Sequence, residues 1–201
     1  MLSPKLQFVG LTVCLSVMQS VVVLPLMAAV PQWSIDGKTS KVQFYTKNGA
    51  SMSVAGSFRD VTGEIRYAPS QPDASRVVAR IPLTTLETSI AKRNSDLMGA
   101  DYFNVERFAT ASFVSTRFRR DVGGKYLLSG KFTLHGVTKN VDIKMELPKI
   151  DTAKNRLAAM GSAIIDHKDY NLTLKKLHPD GFVWINSAIT IVLTIDAVKK
   201  Q

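Results

Sequence analysis

The chain has 201 residues, 26 Lys and Arg against 16 Asp and Glu, three histidines and one cysteine. That length suffices for one ordinary domain with a real core, and a lone cysteine excludes an internal disulfide framework. The net charge of +10 favours anionic partners such as phosphates, phospholipid surfaces or nucleic acid.

Residues 1–29 read as a secretory signal peptide. Lys5 and the amino terminus form a short positive region, "LQFVGLTVCLSVMQSVVVLPLMAA" carries no charge, and Pro25 precedes the small residues Ala28 and Ala29. Cleavage is expected near Ala29. Met27 stands where a small residue is usual, and the apolar run is also long enough for an uncleaved anchor. Cys14 lies inside that run behind the bulky Val13, which argues against lipidation. The mature chain then has no cysteine, so thiolate metal sites and cysteine nucleophiles are excluded with the disulfides. Its charge is +9, from 25 bases and 16 acids. Export argues against nucleic acid, and the bases are scattered apart from Arg117-Arg119-Arg120, Lys175-Lys176 and Lys199-Lys200. Scattered bases read as a solvated surface.

From Trp33 onward the dominant period is two, the period of a half-buried strand. "KVQFYT" puts Val42 and Phe44 on one face, and "SMSVAGSF" does so for Met52, Val54, Gly56 and Phe58. "RVVARIPL" aligns Val77, Ala79, Ile81 and Leu83. "LTTLETSIAKRNSDLMGADYFNVERF" breaks the rule, with helical spacing at Leu83, Leu86 and Ile90 and again through Leu97 and Met98, before a loop with Tyr102, Phe103 and Phe108. This is the one expected helical excursion, lying over an end of the strands. Alternation resumes in "YLLSGKFTL" (Tyr126, Leu128, Gly130, Phe132, Leu134) and "VDIKMEL" (Val141, Ile143, Met145, Leu147). "VWINSAITIVLTI" aligns Val183, Ile185, Ser187, Ile189, Ile191, Leu193 and Ile195. Turns are expected at Asn48-Gly49, Pro69 with Pro72-Asp73, Gly123-Gly124, His135 to Thr138 and Pro179-Asp180-Gly181. Seven or eight short, regularly spaced strands with one helix must pack sheet on sheet or close into a barrel. Small residues on the inward runs (Gly56, Ala79, Gly130, Ser187) either leave room for an apolar cavity or relieve strand curvature.

No catalytic motif appears. His135, His167 and His178 lack the spacing and carboxylate neighbours of a zinc site, so no metal is expected. His135-Gly136 reads as a turn. In "DHKDY", Asp166 and His167 face opposite sides if the segment is a strand. There is no G-x-S-x-G, phosphate-cradling glycine loop or nucleotide fingerprint, and no cofactor is expected. "NLT" at Asn171 fits a glycosylation acceptor. A long isoprenoid or acyl chain needs no motif, because each buried methylene is worth about 0.8 kcal/mol.

From Trp33 to Val198 the chain resembles the YceI-like family, the bacterial polyisoprenoid-binding proteins with a lipocalin-like barrel. The resemblance rests on "WSIDGKTSKVQFYTK", "SVAGSFRDVTGEIRY", "RNSDLMGADYFNVERFATASFVST", "YLLSGKFTLHGVTKNVDIKMEL" and "VWINSAITIVLTIDAV" in that order. The specific matches are Arg93, Leu97, Asp101-Tyr102-Phe103, the strand from Ala111 to Phe113, and "LHGVTK". The chain departs from the family pattern at Asp96, Ala109, Asn140 and His167, and Asn171 stands where the family has glycine. Asn tolerates the left-handed backbone such a turn needs.

The resemblance implies an all-β, eight-stranded antiparallel barrel over residues 30–201, with one short helix near a mouth, periplasmic location, no established catalysis, and a long isoprenoid-type lipid in an apolar tunnel. The expected wall is Phe44, Met52, Val54, Phe132, Leu134, Met145, Ile189 and Ile191, with Leu97 and Phe103 closing the mouth and Arg93 meeting a head group. Two alternatives are an exported enzyme using Asp166, His167 and Asp169, and an envelope or stress protein whose basic surface touches anionic membrane transiently. Oligomeric state is left open.

Overall fold

A computed structural model describes residues 30–48, 52–172 and 187–200, with the side chains of 47, 48, 52 and 53 outside that description. Among the described residues there are eleven strands and one α-helix. In chain order these are β1 (Gln32–Ile35), β2 (Lys41–Asn48), β3 (Met52–Phe58), β4 (Thr62–Arg66), β5 (Arg76–Pro82), α1 (Ala91–Met98), β6 (Thr110–Arg120), β7 (Tyr126–Leu134), β8 (Val137–Met145), β9 (Lys149–Asp151), β10 (Arg156–Asp166) and β11 (Ala188–Lys199).

Every pairing is antiparallel, and the ring runs β11-β1-β4-β5-β6-β7-β8-β10 before closing on β11. Eleven strands make eight staves because three staves are broken. β1 and β2 both pair with β11, at Trp33↔Lys199 and Thr190↔Tyr45. β3 and β4 continue one another beside them, as β8 and β9 do beside β10. The sequence between β1 and β2 is an Asp-Gly turn motif, "DGKTS", and its backbone is held rather than free. Ser40 Oγ donates to the Asp196 carbonyl at 3.1 Å and accepts from the Asp196 N–H at 3.0 Å. Arg156 Nη2 donates to Asp36 at 2.9 Å across the same break. Closure of β10 on β11 removes the long free edges that an open eight-stranded sheet would expose, leaving β3 and β9 at the ends of the strand order.

Strand parity places the core as expected. Val42 and Phe44, Val54 and Phe58, Ile81 and Leu83, and alternate residues Tyr126 to Leu134 are buried. The resulting core is one cluster lining the barrel. The β7–β8 connection is a two-residue turn, His135 at φ 49° and Gly136 at φ 76°, the mirror-image turn that matches strand twist.

Four details differ from the sequence reading. The run through Leu83, Leu86 and Ile90 is a short turn and an extended segment, and the helix begins only at Ala91. Glu87 there exchanges two backbone hydrogen bonds with Ser57 of β3, each 2.9 Å, so sheet pairing captures the segment before a helix can form. β8 ends at Met145, Pro148 offers the ladder no donor, and Leu147 between them is 55% exposed. The β7–β8 turn ends at Gly136, since Thr138 already pairs with Thr133. β10 is a strand that the alternation pattern does not mark. The expected turns at Asn48-Gly49 and Pro179-Asp180-Gly181, the strand start at Val183 and Ile185, His178, Lys175-Lys176 and residues 1–29 fall, in whole or part, outside the described residues.

Candidate functional site

The inward faces leave two connected spaces along the barrel axis. The capped chamber, about 630 Å³, lies under α1 and is bounded by Val42, Phe44, Phe58, Ile81, Leu83, Leu97, Phe103, Ala111, Phe132, Leu134, Ile165, Leu172, Ile189 and Ile191. The far chamber, about 1060 Å³, continues toward the other end, and both volumes include space open to solvent. Its wall includes Val61, Ile65, Tyr67, Val77, Phe113, Phe118, Leu128, Val141, Ile143, Met145, Leu157, Ala159, Ala163, Leu193 and Ile195. Val42, Ile81, Phe132, Ile165 and Ile191 line both and form the collar between them.

Apolar atoms line both spaces; Arg66, Tyr67 and Ser75 are the polar residues on the far chamber's wall. The strands alternate large and small residues to make this room. A Cβ on Gly56 would come within 2.3 Å of the Phe44 ring, and one on Gly130 within 2.4 Å of the Phe113 ring. These glycines let the rings lie flat against the neighbouring stave. A side chain there would drive each ring into the lumen. The Phe44–Phe58 contact at 5.7 Å and the edge-on Phe58–Phe103 contact at 6.0 Å then line the capped end.

α1 caps the barrel through Leu97, 2% exposed. Phe103 is held beside it by its N–H donating to the Leu97 carbonyl at 2.9 Å. The chain leading into α1 is locked by side chains. Asn94 Oδ1 accepts from the Thr88 N–H and hydroxyl at 2.8 and 2.5 Å. Arg93 donates to Thr88 Oγ1 and to the Thr88 carbonyl at 2.9 and 2.7 Å. A ligand chain in the capped chamber therefore meets a wall of hydrocarbon and aromatic carbon.

Of the residues chosen from sequence, Phe44, Leu97, Phe103, Phe132, Leu134, Ile189 and Ile191 line the capped chamber, and Met145 lines the far one. Val54 is buried but on neither wall. The Met52 side chain is outside the described residues. Arg93 is on neither wall, and its Nε and Nη2 serve Thr88. Sequence reading missed most of the far chamber, above all the β10 and β6 contributions.

The polar clusters do not assemble chemistry. His167 is 5% exposed, and its Nδ1 lies 2.7 Å from the Leu172 carbonyl. Asp166 accepts from Ser187 Oγ at 2.6 Å and from the Lys168 N–H at 2.8 Å. Those bonds hold its carboxyl below the usual range, the Ser187 contact contributing most. Asp169 is exposed. Asn171 adopts the left-handed conformation, φ 56°. His135 Nδ1 lies 3.2 Å from the Tyr170 carbonyl and its ring meets Phe108 edge-on at 4.5 Å, so it ties the β7–β8 turn to the short helical turn His167–Tyr170 that follows β10. Among the described residues no three His, Cys, Asp or Glu side chains are grouped to hold a metal ion.

A closed antiparallel barrel, hollow and apolar, capped by one helix, defines the architecture of the small ligand-holding barrels. The model of the YceI-like domain matches residues 33–197, and the chain belongs to that family. A UPF0312 protein of Photorhabdus laumondii is 32% identical over 121 residues, 60% of this chain and 62% of that one, so that match spans less than two thirds of the relative. A UPF0312 protein of Pectobacterium atrosepticum is 31% identical over 178 residues, 87% of this chain and 89% of its own. Among solved structures, Burkholderia cenocepacia BcnA shares the fold with a TM-score of 0.72 at 19% identity, covering 82% of this chain and 99% of that one. A domain from Saccharophagus degradans, described as polyisoprenoid binding and implicated in plant cell wall breakdown, matches with a TM-score of 0.65 at 16% identity. That match covers 86% of this chain and 100% of the domain.

Proposed function

We propose that this chain is an exported, periplasmic lipid-binding or carrier protein. It holds a long-chain isoprenoid-type lipid, polyprenyl or quinone-like, along the two chambers, visits anionic membrane surfaces to exchange it, and catalyses no reaction. The observation that carries this reading is the continuous apolar lining of a space that runs from α1 through the collar toward the opposite end. Such a space offers a flexible chain area burial and little else, at about 25 cal/mol per Å² of apolar surface removed from water. The Saccharophagus degradans neighbour, described as polyisoprenoid binding, supports the ligand class, and the uncharged run before Ala29 supports export. The catalytic alternative draws no support from Asp166, His167 and Asp169, whose groups bond the backbone and Ser187 or face solvent.

The test is solvent extraction of the natively purified full chain followed by mass spectrometry. The expected result is a co-purifying long-chain apolar lipid near equimolar amount. Ala163→Phe sets a ring into the far chamber and is expected to lower the recovered lipid at least about tenfold, at a cost to the fold of about 1–3 kcal/mol. Absence of lipid in the native protein, both as purified and after incubation with polyprenols or quinones, overturns the reading.

A further inference from the structure

The barrel end opposite α1 carries a surface that holding a lipid does not require. Val122, in the β6–β7 loop, is 92% exposed. Gly123 and Gly124 follow it at φ 78° and 77°, a pair of left-handed residues that turns the chain sharply. The Asp121 N–H donates to the Lys125 carbonyl at 2.8 Å and closes the loop beneath them. Leu147, 55% exposed, and Ile150, 38% exposed, follow the end of β8 at the same rim. Lys125 and Glu146, 2.7 Å apart, tie the two segments together.

The β6–β7 connection and the segment over the capped end differ in charge. Residues 117–125 hold four bases and one acid, whereas residues 83–109, over the capped end, hold three bases and four acids. The basic rim is also where the far chamber reaches the surface. Pro148, between Leu147 and Ile150, and the exposed Arg66 both belong to that chamber's wall.

Exposed apolar side chains interleaved with bases fit the boundary between lipid headgroups and acyl chains. Each base near an anionic leaflet adds attraction that fades within a Debye length. The rim's acids do not cancel this. The Arg117–Asp73, Lys125–Glu146 and Lys154–Asp151 pairs are exposed on both sides and the Arg119–Asp121 pair, 3.9 Å apart, is partly exposed, and such pairs are weak in water, so their cations are available to exchange partners.

We propose that this rim, residues 121–125 with 147–150, is the face by which the protein docks on an anionic phospholipid bilayer, setting the far chamber's mouth against the headgroups. The inference rests on the lipid-carrier function and adds where exchange takes place.

The test is flotation of the full chain with phosphatidylglycerol vesicles and with phosphatidylcholine vesicles, each variant compared with wild type so that any contribution of residues 1–29 is common to both. Wild type is expected to float with the anionic vesicles and to be released by salt. Val122→Asp combined with Arg119→Glu is expected to weaken flotation at least about tenfold, and Lys139→Glu, exposed near the capped end, by less than about twofold. Normal flotation of the rim variant, equal loss in Lys139→Glu, or no flotation of wild type overturns the docking face. Lipid extraction from the same preparations separates the two readings. Rim-dependent flotation of a protein that takes up no lipid leaves the docking face and overturns the carrier function; lipid-loaded protein whose rim variant floats normally does the reverse.

Discussion

Gly130 shows how one missing side chain makes a ligand space. It sits inward on β7 between Leu128 and Phe132, and a Cβ there would meet the Phe113 ring at 2.4 Å and the Val114 carbonyl oxygen at 2.7 Å. Gly130→Ala therefore forces Phe113 toward the lumen and strains the β6–β7 ladder. The expected cost is about 1–3 kcal/mol, the range for an added carbon that forces side chains and backbone to shift, read as a lower urea midpoint with an unchanged slope. Lipid recovery is expected to fall with it, because the displaced ring occupies the far chamber. A variant as stable as wild type would mean that the ring has another place to go. The residue scale also shows what a single sequence leaves ambiguous. Gly56 and Gly130 fit either a cavity or strand curvature, and only the flat rings of Phe44 and Phe113 across from them separate the two.

At the scale of elements, the broken staves decide what sequence pattern can show. Uninterrupted alternation makes β2, β3, β5, β7 and β8 legible, because a period of two with polar partners matches a half-buried strand and little else. β6 is only half legible. Ser115 pairs with Gly130 but Arg117 with Ser129, so the bulge at Thr116 moves the inward face from odd positions, Ala111 and Phe113, to even Phe118. β10 is illegible because both its faces are apolar: Leu157, Ala163 and Ile165 point inward, while Met160 and Ile164 are 54% and 71% exposed. With those two strands go Phe113, Phe118, Leu157, Ala159, Ala163 and Ile165 of the far chamber's wall.

The break between β1 and β2 yields a pH prediction. The Arg156 guanidinium, then the Lys38 N–H, hold the Asp36 carboxyl below its ordinary value of 3.8. A lowered carboxyl adds stability that is complete above the unfolded value and lost as pH falls through the folded one. Asp36→Asn is thus expected to lower the urea midpoint at neutral pH, with the gap to wild type closing below about pH 3.8. A gap that stays constant into acid would assign the loss to altered turn packing instead of charge.

At the scale of the whole molecule, the collar determines which ligands the barrel accepts. The two chambers meet at Val42, Ile81, Phe132, Ile165 and Ile191, so a chain that spans both must thread this ring. Phe132 is the largest of the five, 9% exposed, and its ring is fixed edge-on against Tyr170 at 5.6 Å. Tyr170 is itself 1% exposed, and burial pushes its phenol up to about 12, so it stays neutral behind the collar. A collar shared by both chambers penalises any ligand that must place bulk beyond its own chain width there. Phe132→Leu widens the ring while keeping an apolar side chain, at an expected cost of about 1–2 kcal/mol for a partial cavity. Loaded with a homologous series of polyprenols, wild type is expected to retain a restricted range of lengths, and Phe132→Leu to shift that range toward longer chains. The comparison is made by mass spectrometry of the extracted lipid, with Val78→Leu, outward on β5 and 43% exposed, as the neutral control. Identical length profiles for all three proteins would place selection at a chamber end, and the collar would then be packing alone.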